Sequence, residues 1–312
     1  MNRRALVLCG FTVSAFLSAT PAHAYFEDIQ VGARGLSIGP AAIATVVDGS
    51  SYHWNPAALA QLGQPELLVD YAKPYGLTDL NSGAIVAALP SHGIGWALAW
   101  RHLGLSGVYS EDIFAAAAGR TMWREHSGHR LDAGLTFKFA RASFDVFTEP
   151  GTSAGVDYGT ISRGDLDAGL LWSTPWRMDV AWVSRGLLEP RYEFVAGSGG
   201  DRIPLRHELG TAFKWNREST ITLGWSQLEA GGSTLNAGIE ILFYDVFAIR
   251  SGVANLSRVY ESYGSPNDLQ YQGGFGVYHR GYHVDAAATS NRDLGASYRV
   301  TLRVPIGKAD AR

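Results

Sequence analysis

Residues 131–139 read Leu-Asp-Ala-Gly-Leu-Thr-Phe-Lys-Phe, and their spacing decides the fold class. Leu131, Ala133, Leu135, Phe137 and Phe139 fall on one face of an extended chain, and Asp132, Gly134, Thr136 and Lys138 on the other. Successive side chains of a strand point to opposite sides, so period-two alternation is a strand signal. The same pattern recurs further on. His207, Leu209, Thr211, Phe213 and Trp215 oppose Glu208, Gly210, Ala212 and Lys214. Ile221, Leu223 and Trp225 oppose Thr220, Thr222 and Ser226, and Tyr298, Val300, Leu302 and Val304 oppose Arg299, Thr301 and Arg303. One face is always apolar and aromatic, while the other carries Gly, Thr and charge. A barrel wall with hydrocarbon outside and water inside needs this division.

Outward from that stretch, the chain divides into about fourteen such segments, an even number as a bacterial membrane barrel requires. The pattern predicts strands over 67–73, 83–90, 93–103, 111–120, 131–141, 163–172, 177–187, 205–215, 219–228, 234–242, 245–254, 269–278, 281–289 and 296–306. Short links at 91–93, 173–176, 216–218, 243–244 and 279–280 alternate with longer ones at 74–82, 104–110, 142–162, 188–204, 255–268 and 290–295. Short turns at one end and longer loops at the other are the habit of such barrels. The link 121–130 breaks the rule, being long where a short turn is due. A soluble sandwich or propeller shares the alternation, but its loops need not alternate in length. No repeat of about 40 residues speaks for a propeller.

Composition agrees. Of 312 residues, 46% are hydrophobic and 18% charged, below the roughly 25% charged of soluble domains. The formal charge is -3, and without a basic stripe nucleic acid is excluded as a partner. Asn2-Arg3-Arg4, an apolar run over 5–19 and Pro21-Ala22-His23-Ala24 form a secretory leader cut after Ala24. The single Cys, Cys9, lies inside it, so the mature chain has neither disulfide nor thiol chemistry. No later run is long and apolar enough for a spanning helix. An exported, aromatic-rich chain without one points to an outer-membrane β-barrel.

Residues 25–63 carry few strand signals. Glycines at Gly32, Gly35, Gly39 and Gly49 punctuate them, 41–47 are small and apolar, and Pro56-Ala57-Ala58-Leu59-Ala60 suits a helical turn capped by Asn55. Irregular backbone survives at membrane depth only inside protein or lumen water, so this segment is expected to plug the barrel. Gly32-Ala33-Arg34-Gly35-Leu36-Ser37-Ile38-Gly39, Val47-Asp48-Gly49 and Tyr52-His53-Trp54-Asn55-Pro56-Ala57-Ala58-Leu59 resemble the N-terminal hatch of the FadL superfamily of outer-membrane proteins. Leu235-Asn236-Ala237-Gly238-Ile239-Glu240, Phe247-Ala248-Ile249-Arg250-Ser251-Gly252, Gly274-Phe275-Gly276, Val284-Asp285-Ala286-Ala287 and 294–300 look most like its PorV/PorQ branch. The likeness covers both ends of the chain, while 123–204 match only by general pattern. The chain also runs past Ile306 without the terminal aromatic residue many outer-membrane barrels carry.

The expected organisation is therefore all-β: leader 1–24, hatch 25–63, a transmembrane barrel of about fourteen antiparallel strands over 64–307, and a polar tail 308–312. Gly32, Gly35, Gly39, Asn55, Pro56 and Ala57 are the hatch or gate residues. Glu240, Arg250 and Asp285 are expected to face the lumen, because Ile239, Ile249 and Val284 face lipid, where an Arg at mid-depth costs about 2–4 kcal/mol. They make a cross-brace that anchors the hatch, or a polar site on a solute path. His126 and His129 beside Glu125, and His279 and His283, do not complete a metal site. No Walker loop, dinucleotide fingerprint, zinc-protease helix or paired-Cys motif appears, so no catalysis and no cofactor are expected. Glycines within strands, among them Gly95, Gly134, Gly169, Gly210, Gly224 and Gly238, fit kinks around an aromatic-lined pocket or simple barrel curvature. The resemblance implies passage of hydrophobic or amphipathic small molecules through a barrel set in outer-membrane lipid by the barrel assembly machinery. The alternative it implies is an accessory barrel of a type IX-like secretion system that binds exported proteins through the long loops, with Tyr192-Glu193-Phe194 and Tyr260-Glu261-Ser262-Tyr263 as anchors.

Overall fold

The computed structural model describes residues 29–145, 147–148, 155–156, 158–194, 200–228, 233–256, 269–291 and 294–307. The expected leader, the first four hatch residues, the tail and Tyr260–Tyr263 lie outside the described residues.

Strands β1 (Glu66–Lys73), β2 (Leu80–Ser91), β3 (Ile94–Leu105), β4 (Tyr109–Arg124), β5 (Arg130–Phe144), β6 (Phe147–Thr148), β7 (Gly155–Val156), β8 (Thr160–Ser173), β9 (Met178–Arg185), β10 (Arg191–Tyr192), β11 (Asp201–Arg202), β12 (Arg206–Lys214), β13 (Ser219–Leu228), β14 (Ser233–Phe243), β15 (Phe247–Ala254), β16 (Gln270–His279), β17 (Tyr282–Asn291) and β18 (Gly295–Pro305) follow in chain order. Fourteen of them close an antiparallel barrel in the order β1-β2-β3-β4-β5-β8-β9-β12-β13-β14-β15-β16-β17-β18, and β18 pairs back onto β1. Closure leaves no unpaired sheet edge, which is the condition for strands to stand in hydrocarbon. Sequential neighbours pair throughout because antiparallel strands need only tight turns to join them.

The two faces separate as the alternation requires. On β5, Leu135, Phe137 and Phe139 are 53%, 51% and 43% exposed, while Asp132 and Thr136 are fully buried. On β18, Tyr298, Val300 and Leu302 point outward and Arg299, Thr301 and Arg303 inward. The exposed apolar side chains of the strands form the outward band, and among the described residues no helix is long and apolar enough to cross a membrane.

Three local features differ from the sequence reading. The link 121–130 shrinks to 125–129, because β4 continues to Arg124 through a bulge between Thr121 and Trp123. A bulge shifts the two-residue phase, and the alternation is lost there. The long link after β9 carries its own two-stranded ribbon, β10 with β11, and the link after β5 carries β6 with β7. Above Ala168, β8 has no ladder partner on the β9 side. Instead Gly186 and Leu188 donate their amides to Asp167 and Asp165, and Leu187 donates to the carbonyl of Leu166.

Residues 29–62 lie inside the barrel. Helix α1 (Ala33–Ile38), a 3-10 turn Pro40–Ala44, helix α2 (Ser51–Trp54) and a 3-10 turn Pro56–Gln61 cross the lumen before β1 begins. Their apolar side chains and the inward alanines and valines of the wall form two clusters, one around Leu59, Leu68 and Val86, the other around Ile38, Ile43, Trp54 and Val183.

Candidate functional site

The inner segment takes its path from its glycines and its one Asn-Pro step. Gly32 and Gly39 bracket α1, each at a φ of 90°, a region that side-chain-bearing residues rarely enter. Gly35 lies under the Trp54 indole, where a Cβ would come within 2.3 Å of the ring. Trp54 fixes that stack by donating its indole N–H to the carbonyl of Val31 at 2.7 Å. Asn55 caps the last turn. Its Oδ1 accepts from the Ala57 amide at 3.0 Å, and its Nδ2 donates to the carbonyls of Ile43 and Leu170, each at 3.1 Å. One side chain thus joins two parts of the inner segment to strand β8. Pro56 starts the turn without an amide to satisfy.

The strand glycines have a role different from kinking. Gly95, Gly119, Gly134 and Gly169 face inward under residues 55–60, and Gly210, Gly224, Gly238 and Gly252 under residues 38–44. A Cβ at Gly95 would sit 1.8 Å from the Leu59 carbonyl, and one at Gly134 would sit 2.3 Å from the Pro56 carbonyl carbon. These glycines form a belt that clears the lumen so the inner backbone can lie against the wall.

Glu240, Arg250 and Asp285 come together. Arg250 donates to Glu240 at 2.5 Å and to Asp285 at 2.8 Å, and Tyr278 joins the cluster. The sequence reading missed the fourth charge, Arg34 of α1, which reaches Glu240 through two bonds of 3.0 and 2.9 Å. Its only sequence signal was a lone charge among small residues in Gly-Ala-Arg-Gly. Further ties are new. Asp70 and Thr301 accept from the amides of Gly32 and Ala33, and Arg299 pairs with Asp70. Arg303 lies 3.4 Å from Asp48, and Glu66 accepts from the Gly49 amide. On the other side Arg185 donates to the carbonyls of His53 and Trp54, and Thr136 to that of Tyr52. Strands β1, β5, β8, β9, β14 and β18 therefore hold the inner segment through polar contacts to its backbone or charges.

Above the inner segment, at the end of the long connections, is a cavity of about 200 Å³. Tyr52 and His53 make its floor, and Ile113, Ala140, Ile203 and Pro204 give it apolar wall. Lys138, which pairs with Asp165 at 2.9 Å and Asp167 at 2.7 Å, and the buried Arg185 add charge to its lining. The lining is mainly aliphatic and charged, with Tyr52, His53 and Tyr192 as its aromatic part, and it comes from the strands and the 186–205 connection at the level where β8 lacks a β9 partner. Tyr192 is buried against this cavity, so it does not stand out as a loop anchor. Burial and the negative charge of Asp165 push its phenol above the usual range, which keeps it a neutral hydroxyl.

His129 sits in an aromatic cluster at the short-turn end, stacked 5.8 Å from Trp172 and edge-on 5.2 Å from Trp176. His283 lies in the lumen, 2.6 Å from Arg303 and with its ring 4.4 Å from that of Tyr278. Among the described residues no three His, Cys, Asp or Glu side chains converge as a metal site.

No protein-family profile matches the chain, and no curated protein matches it. Solved structures do. A Pseudomonas aeruginosa FadL homologue aligns over 87% of this chain and 97% of its own, with TM-score 0.54 and 14% identity. CymD, a monoaromatic hydrocarbon channel, aligns over 87% and 97% with TM-score 0.55 and 10% identity. The Ralstonia pickettii toluene transporter TbuX aligns over 86% and 97% with TM-score 0.53 and 10% identity. At such identities the shared property is the fold, and it spans nearly the whole of each neighbour.

Proposed function

We propose that this chain is an outer-membrane channel of the FadL type that passes hydrophobic or amphipathic small molecules, with residues 29–62 as its gate. One observation carries the reading. An apolar-walled cavity at the long-loop end rests directly on a segment that fills the lumen beneath it. A solute entering there meets Ile113, Ala140, Ile203 and Pro204 first, and Tyr52 and His53 stop it below. Apolar surface withdrawn from water contributes about 25 cal/mol per Å², enough to hold a small hydrocarbon in a cavity of this size. Lys138 in the lining offers a polar end its partner. Passage then requires the segment to shift, and Gly32, Gly35, Gly39, Asn55, Pro56 and Ala57 set the path along which it does so. Glu240, Arg250 and Asp285 hold its first helix through Arg34. The hydrocarbon channels among the structural neighbours support the same kind of solute. The leader-like 1–24 delivers the chain for export, and the barrel assembly machinery sets it in outer-membrane lipid.

Within the superfamily, the PorV/PorQ assignment rests on the C-terminal motifs quoted above, and with it the alternative of a secretion accessory that binds exported proteins. Purification from native membranes followed by mass spectrometry separates the two. A lipid-like molecule bound in stoichiometric amount is expected. A protein carried along with no small ligand would overturn the channel reading.

A further inference from the structure

The wall seals the inner segment by two different chemistries. Over β3, β4, β5 and β8, and again over β12 to β15, glycines let backbone and aliphatic side chains meet the wall in contact too close for water. Over β16, β17, β18 and β1 most of the inward residues are polar, with Leu68, Ala72 and Ala287 set among them. Gln272, Thr289 and Ser297 stand near the long-loop end, Arg299, Thr301, Asp70 and Asp285 in the middle, and Arg303, His283 and Glu66 near the short turns. Strand register stacks them in rows, with Asp285 opposite Thr301 and Thr301 opposite Asp70, and with His283 opposite Arg303. The inner segment meets this wall with charges and bare amides, through Asp48, Gly32, Ala33 and Gly49.

Two observations show that water belongs on this side. A second cavity, of about 150 Å³, opens at its long-loop end between Gln30, Gln272, Thr289, Asn291, Ser297 and Arg299. Gln30 Oε1, Gln272 Oε1, Arg299 Nε and Arg303 Nε are shielded from bulk solvent with no protein hydrogen-bond partner, as are some polar atoms elsewhere, Thr222 Oγ1 and Asn236 Nδ2 among them, but the four on this side lie along the cavity and the row of charges. Buried polar atoms of this kind are ordinarily satisfied by ordered water. Contacts between charges, or from charge to amide, exchange for water at little cost, unlike apolar contacts.

We propose that the face between the inner segment and strands β16, β17, β18 and β1 is a hydrated seam that conducts small inorganic ions, a permeation path separate from the cavity over Tyr52 and His53. Along it, and at its border on β14 and β15, Arg34, Arg250, Arg299 and Arg303 nearly balance Asp48, Glu66, Asp70, Glu240 and Asp285. The wild-type seam therefore has little preference between cation and anion, and removing one charge tips it.

The test is reversal potential in planar bilayers under a KCl gradient, with folding of each variant checked by heat-modifiable migration on gels. The wild type is expected to conduct. Arg303→Gln and Arg299→Gln each raise the potassium-to-chloride permeability ratio severalfold, and Asp70→Asn lowers it, because fixed charge in a narrow path sets local counter-ion concentration. Arg130→Gln, the same charge change beside Asp132 on the glycine-belt side, leaves the ratio where it was. Should Arg303→Gln fail to fold, Arg299→Gln and Asp70→Asn carry the test. A folded wild type without conductance overturns the proposal, as does a ratio that follows Arg130→Gln and ignores the seam variants. Neither result bears on hydrophobic uptake, which is read with a different solute.

Discussion

Gly134→Ala adds one methyl group at the place where the barrel wall and the plug come closest. The new Cβ would lie 2.3 Å from the Pro56 carbonyl carbon and 2.5 Å from the Ala57 nitrogen. Both are backbone atoms of a turn that Asn55 ties to Leu170, so neither can swing aside as a flexible side chain would. Overpacking of this kind costs about 1–3 kcal/mol. If the turn lifts away instead, Leu59 leaves its buried site, and exposing a Leu costs about 1.5–3 kcal/mol. Either way the seated plug loses at least the smaller amount relative to the unseated one. A bias of about 1–3 kcal/mol multiplies the unseated population about 5–150-fold. The barrel itself keeps its ladder, since Gly134 pairs with Gly119 and Gly169 through backbone alone. Limited proteolysis in detergent reads the difference: residues 29–62 of the variant are cut faster, while the barrel still migrates as a folded species. The control is Gly164→Ala on the lipid face, where the nearest atom, of Phe137, is 3.6 Å away and no change is expected. Equal cleavage of the wild type and Gly134→Ala would refute the glycine belt as the seat of the plug.

Other substitutions read other contacts. Arg250→Ala leaves Glu240 and Asp285 facing each other without their shared cation, and breaking a buried pair costs about 3–5 kcal/mol. The temperature at which the barrel loses its compact migration should fall clearly. Unchanged assembly and heat stability with reduced transport would remove the cross-brace role and leave a solute site. Asn55→Ala loses the cap and both bridging bonds, at about 1 kcal/mol for the cap alone, and is expected to speed proteolysis of the plug without altering the barrel. Ala140→Trp fills the cavity from a wall position and should remove a co-purifying lipid-like molecule while the plug stays protected.

The barrel was readable in the sequence because one physical rule, lipid outside and lumen inside, acts on every second residue of every strand. It failed at Thr121–Trp123, where a bulge changes the phase, and at β10 and β11, which are too short to show a period. The inward setting of Glu240, Arg250 and Asp285 followed from the same alternation. Their partner Arg34 did not, because an ion pair between residues 34 and 240 leaves no local trace. The belt glycines were visible as glycines, yet curvature and clearance leave the same residue in the sequence. Only the position of Pro56 and Leu59 across the lumen separates them. The cavity was least legible, since it is lined by residues from six barrel strands, a connection and the plug.

Movement of the plug is the claim on which the channel reading depends, and a removable cross-link measures it most directly. Gly49 of the plug and Ala88 of β2 face each other, with 3.6 Å between the Ala88 Cβ and an ideal Cβ at Gly49, within the roughly 3.5–4.5 Å of a disulfide. The only native Cys is Cys9, so Gly49→Cys with Ala88→Cys, made with Cys9→Ser, gives a single pair. Uptake of a naphthylamine fluorophore into proteoliposomes is compared before and after reduction. The expected result is a block in the oxidised protein that reduction relieves. Equal uptake in both states, with the cross-link confirmed by mass spectrometry, would contradict a plug that must move for solute to pass.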